Sequence, residues 1–113
     1  MELKPVDGAG NVYLVLGSVI AAGIDGLERD ARLPEPTTED PSALPPDVRE
    51  RRRVRPLPAS LSEAVGELER SKIVRRAMGD MLFDAFVATR RGEIAAFQDL
   101  DEDAIIRAHR WRY

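Results

Sequence analysis

Apolar and polar positions along the chain change rhythm several times, and each change marks an element. From Asn11 to about Leu27 the stretch "NVYLVLGSVIAAGIDGL" is apolar on nearly every face, as a helix reads when other elements surround it. Asn11 suits the N-cap, and Gly23 and Gly26 weaken the last turns so that the helix can end there. The residues after it, "ERDARLPEPTTEDPSALPPDVRERRRVRPLPA", are dominated by proline and charge, so no packed element is expected between Glu28 and Ala59. Structureless connections beyond about 15 residues are uncommon inside compact domains, and residues 28–59 are expected to form a variable, mobile loop.

At Ser60 the pattern turns helical. "SLSE" offers a serine cap with Glu63 three residues later, a capping box. Leu61, Ala64, Val65 and Leu68 recur at helical spacing, and Ile73, Val74, Ala77 and Met78 continue as a second short turn closed by Gly79. Asp80 is placed to cap a longer helix, on which Phe83, Phe86, Val87, Ile94 and Phe97 share one face. Arg90 sits in the middle of that face, with Glu93 three residues on as its partner. The closing "DEDAIIRAHRWRY" has acids first and bases last, which complements a helix dipole at both poles. The regular strand candidate is the stub before Asp7. The fold class expected is therefore mainly α, with about four helices and a short N-terminal strand.

Composition narrows the function. At 113 residues the chain is at most one domain, and its 17 basic and 20 acidic side chains leave a net charge of −3. No global field draws it onto nucleic acid or an anionic membrane, and neither is expected as a partner. The absence of cysteine excludes disulfides, thiolate zinc sites and cysteine nucleophiles, and fits the cytoplasm. The apolar run from Val12 to Ile24 falls short of the roughly 20 residues that a membrane-spanning helix needs.

Few constellations carry chemistry. The basic run "RERRRVR", Arg49 to Arg55, can bind phosphates, although like charges in a proline-rich loop are mostly solvated. It has no interleaved aromatic residue for base stacking. His109 is the single histidine, which excludes a His-based metal cluster or a Ser/His/Asp triad within the chain, and it is expected on the surface near a helix C-terminus. "GAG" and "GIDG" lack the lysine of a phosphate-cradling loop. The opening "MELK" has more content: on a strand, Glu2 and Lys4 project from one face, a hard-oxygen metal ligand beside a cation.

"ELKPVDGAGNVYLVLGSVIAAGIDGLE" closely resembles a segment of the glutamine synthetases that runs E-x-R, a short corner with Asp, then N-P-Y-L and an Ala/Leu-rich helix ending A-G-L-D-G-I. "LPASLSEAVGELERSKIVRRAMGDMLFDAFVATRRGE" is similar to a later stretch of the same family, and the chain closes on Tyr113, as many members do. The resemblance covers nearly the whole chain apart from the variable loop. It implies the C-terminal part of a glutamine-synthetase-type α+β catalytic domain.

In that family ATP phosphorylates the γ-carboxylate of glutamate, and ammonia or an amine displaces the phosphate across two divalent metals, Mg2+ or Mn2+. By this resemblance Glu2 stands at a metal-ligand position, and Lys4 stands where an arginine contacts the acyl-phosphate end of the substrate. Three departures follow. Lys4 is a point charge that does not reproduce the planar bidentate grip of arginine. Val12 replaces the proline at the first helical position. The family's other metal ligands and its nucleotide loops lie upstream of Met1. The loop also has no tyrosine, so adenylylation control is not supported. The expectation is a truncated family member that is inactive alone, binds no cofactor by itself and assembles as a homo-oligomer or with full-length subunits. The alternative is a noncatalytic helical module docking on full-length subunits.

Overall fold

The computed structural model describes Val6, Gly8 and residues 10–110. The stub before Asp7, with Glu2 and Lys4, and the closing Tyr113 lie outside the described residues. Among the described residues the regular structure is helical: α1 (Val12–Glu28), α2 (Pro46–Arg51), α3 (Leu61–Arg70), α4 (Lys72–Met78), α5 (Asp80–Phe97) and α6 (Glu102–His109).

Local chemistry sets most of the boundaries. The Asn11 side chain accepts from the Tyr13 and Leu14 amides at 3.0 and 3.2 Å, which starts α1 as expected. The helix ends at Glu28 in a Schellman motif, with the Ala31 amide donating to Gly26 O and the Asp30 amide to Leu27 O. Ser60 Oγ accepts from the Glu63 amide at 3.1 Å, while the Glu63 carboxylate reaches back to the amide of Ala59, one residue before the position a standard capping box would use. Ser71 serves two helices: its amide closes α3 on Leu68 O, and its hydroxyl accepts from the Val74 amide to open α4.

Gly79 joins α4 to α5 with φ 74° and ψ 155°, a conformation essentially confined to glycine. The expectation that Asp80 caps α5 is corrected here. Gly79 holds the cap position without a side-chain bond, and Asp80 is the first helical residue. The carboxylate of Asp80 instead accepts from Arg75 across the corner.

The connection from residue 28 to 59 is not uniform. Residues 31–39 form no element and every one is exposed. A 3-10 turn (Pro41–Ala43) and α2 follow, and Leu44 between them is buried to 5% exposure. The expectation of no packed element thus fails for residues 41–51. A tandem Pro45-Pro46 fixes φ at the start of α2, and Asp47 and Arg51 pair across one turn, which supports a six-residue helix in a polar sequence.

Packing runs α1 on α4, α4 on α5, and α3 on both α4 and α5. The centre is small: Phe83 of α5 and Val65 of α3 are 1% and 2% exposed. α1 lies at the margin and buries no residue fully. Leu14, Val15 and Val19 face inward, where with Val74, Met78 and Phe86 they line an apolar groove of about 390 Å³. Its other side carries Val12, Tyr13, Leu16, Ile20, Ile24 and Leu27, all exposed. A helix that is apolar all round is thus covered on one side only.

Ion pairs tie the helices at their edges. Arg91 of α5 holds Glu69 of α3, Arg76 of α4 reaches Glu28 at the end of α1, and Arg75 of α4 holds both Asp80 and Asp84 of α5 at 2.8 Å. The Arg75 guanidinium carbon also lies 4.2 Å from the Phe83 ring centroid, a cation–π contact at the α4–α5 corner. Arg90 pairs with Glu93 at 2.9 Å as expected and lies 5.5 Å from the Phe86 ring. His109, expected on the surface, is half-buried instead, its ring 4.8 Å from that of Phe97 and its Nδ1 3.0 Å from Ile105 O.

Candidate functional site

The pair singled out by the sequence, Glu2 and Lys4, lies outside the described residues, and at this end of the chain the structure describes Val6, Gly8 and the residues from Gly10 onward. Asn11 fixes where the chain enters α1. Before it, Val6 and Gly10 border the apolar groove between α1, α4 and α5, beside Leu14, Val15 and Phe86.

Several charged groups elsewhere are engaged in structure. The hydrogen bond from Arg91 holds the Glu69 carboxyl below its ordinary value, and Arg91 is raised in turn, first by that hydrogen bond. Arg75 is raised chiefly by its hydrogen bond to Asp80. The Asp40 carboxyl is lowered by the Ser42 amide, and then by the Ser42 hydroxyl, in the turn that precedes α2. These are pairings of exposed side chains with fixed local partners.

A divalent metal pair of the kind the family resemblance implies needs converging hard-oxygen or imidazole ligands. Among the described residues no three of the His, Asp and Glu side chains come together in such a group. The described part of the chain therefore does not fit the metals by itself, and Glu2, the ligand position implied by the resemblance, lies outside it. Two arrangements had little sequence signal. The Arg75–Asp80–Asp84 cluster spans a helix corner, and the sorting of the Arg49–Arg55 run onto two faces of α2 depends on where that short helix begins.

Comparison with known proteins agrees with the motif resemblance. The profile of the glutamine synthetase catalytic domain matches residues 1–109. The chain is 47% identical over all 113 of its residues to a gamma-glutamylpolyamine synthetase of Streptomyces coelicolor, covering 24% of that protein. It is 30% identical over 98 residues to a glutamine synthetase of Methanococcus voltae, with 87% of this chain and 22% of that protein covered. A glutamine synthetase of Thermotoga maritima is 33% identical over 87 residues, with 77% of this chain and 20% of that protein covered. The chain thus spans about a quarter or less of the length of these relatives. With a profile match over nearly its whole length, a helical fold whose caps coincide with the motifs that carry the resemblance, and relatives from three genera, the chain belongs to the glutamine synthetase family and corresponds to part of its catalytic domain.

Proposed function

We propose that this chain is part of a ligase that joins an amine to the γ-carboxylate of glutamate with hydrolysis of ATP to ADP and phosphate, and that the amine is a polyamine. The supporting observation is the 47% identity to the gamma-glutamylpolyamine synthetase over all 113 residues, against 30% and 33% for the two glutamine synthetases.

In this reading a γ-carboxylate oxygen takes the terminal phosphoryl group of ATP. The amine nitrogen then attacks the acyl carbon, loses a proton and expels phosphate. Divalent metals supply neutralisation of the phosphate charge when bound. Glu2 would hold one of them, and Lys4 would place a fixed positive charge beside the acyl-phosphate end. Neither residue completes the site, so the chain alone is expected to be inactive.

The exposed side of α1 is accounted for in the same reading. Val12, Leu16, Ile20 and Ile24 form a stripe that other segments of the catalytic domain cover, and the chemistry takes place in the cytoplasm, within a homo-oligomer. No helix among the described residues is long and apolar enough to cross a membrane. That stripe also favours a second reading, a noncatalytic module that docks α1 onto full-length subunits.

A chimera separates the two. The matching quarter of the Streptomyces coelicolor enzyme is replaced by this chain, and phosphate release is followed with glutamate, ATP, magnesium and either spermine or ammonium. The ligase reading expects turnover with spermine above that with ammonium, and its loss in Glu2→Ala. A chimera that melts like its parent yet releases no phosphate, or that keeps full activity in Glu2→Ala, would overturn it.

A further inference from the structure

The arginines of the Arg49–Arg55 run are not equivalent once α2 has formed. Arg51 pairs with Asp47 at 3.4 Å and Arg52 with Glu39 at 3.9 Å. Arg49, Arg53 and Arg55 make no ion pair with any described residue and line a separate groove of about 390 Å³. Pro46, Arg49 and Glu50 fall at i, i+3 and i+4, so they share one face of α2, and Arg53 joins them from beyond the end of the helix.

The groove is shaped by the way α2 ends. Arg53 takes a left-handed φ of 56°, the Val54 amide returns to Arg49 O at 2.8 Å, and the Arg53 amide bonds Glu50 O at 3.0 Å. This Schellman closure reverses the chain, so Arg55 lines the same groove as Arg49 and Arg53. Val54, half-buried, and the prolines Pro46 and Pro56 supply the apolar part of the lining. Glu50 is the one acid in the lining, so three cations face one anion.

From this geometry we propose that the groove binds a small anion of the oligophosphate class, with two or more phosphate groups spaced along its length. Two uncompensated positive charges call for a ligand of at least two negative charges, and guanidinium forks match phosphate oxygens bidentately. The volume exceeds what a lone phosphate fills, and the spread of the arginines over seven positions suits an extended anion.

Titration calorimetry of the chain with tripolyphosphate, without metal, tests this directly. Arg49→Gln combined with Arg55→Gln is expected to weaken binding at least about tenfold. Arg51→Gln combined with Arg52→Gln removes the same net charge from the paired face and is expected to change affinity by less than about twofold. Far-UV circular dichroism verifies that both double variants keep the helix content of the parent. No heat of binding, equal losses in the two double variants, or tighter binding of a hexaglutamate peptide than of tripolyphosphate would each overturn the proposal.

Discussion

Arg91 of α5 donates from Nε and Nη2 to the two carboxylate oxygens of Glu69 on α3, at 3.2 and 2.5 Å, joining positions 22 residues apart in a fork-to-fork pair. This pair makes a pH-dependent tie between the two helices that enclose Val65 and Phe83. The hydrogen bond from Arg91 lowers the folded carboxyl below its ordinary value of 4.5. A depressed folded value stabilises the fold above the unfolded value, and that contribution is lost as pH falls through the folded one. Glu69→Gln is therefore expected to be less stable than the parent at neutral pH, with the difference shrinking as the pH falls below the ordinary value of 4.5 and through the lowered folded one. Thermal melts of both chains between these limits decide it, and an offset that stays constant with pH counts against the pair.

The corner between α4 and α5 depends on backbone conformation alone. A Cβ at Gly79 would meet nothing within 4 Å, yet its φ of 74° and ψ of 155° exclude ordinary side chains. Gly79→Ala is expected to cost about 1–3 kcal/mol in urea unfolding. Gly92 lies inside α5 with the same open space around it, so Gly92→Ala is expected to stabilise by about 0.5–1 kcal/mol. Effects of the same sign at both glycines would be incompatible with this assignment.

The outer stripe of α1 leaves Leu16 57% and Ile20 52% exposed. Contiguous apolar surface of this kind drives association. The chain by itself is expected to self-associate, and Leu16→Lys with Ile20→Lys to return it to a monomer with unchanged helix content. Sedimentation across a range of concentrations reads this out. A parent chain that stays monomeric at every concentration would show that the stripe is inert.

Protease sensitivity follows the division of the long connection. Residues 31–39 have no element and no burial, whereas Arg51 and Arg52 are held by α2 and by ion pairs. Trypsin is expected to cut first after Arg32, before the arginine run. An initial cut within residues 49–55 would mean that α2 is not formed in solution.

The helix starts at Asn11 and Ser60 were legible in the sequence because caps are short-range. Asn11 and Ser60 with Glu63 each satisfy an amide within four residues, so the residue types and spacing suffice to place those starts, while the caps at Ser71 and Asp101 emerge from the structure. Gly79 was legible as a stop for the same reason, although its exact role displaced Asp80 from the cap. Of the candidate site, the roles of Glu2 and Lys4 came from family motifs, and both residues lie outside the described structure.

Other features needed the tertiary structure because they join residues that sequence distance keeps apart. The apolar pattern of α1 is nearly uniform around the helix, so it carries no information on which side is covered. The position of α4 decided that Leu14, Val15 and Val19 turn inward and that Leu16, Ile20 and Ile24 do not. Leu44 was hidden among prolines and charges, and its burial depends on where the 3-10 turn and α2 place it. His109 carries a helix-end signal but rests on Phe97, twelve residues earlier. The arginine run reads as one block of charge until the start of α2 sets its phase, after which Arg51 and Arg52 find acids and Arg49, Arg53 and Arg55 share a groove. Local hydrogen bonding is encoded within a few residues, whereas the choice of buried face and ion-pair partner is made only when separate helices meet.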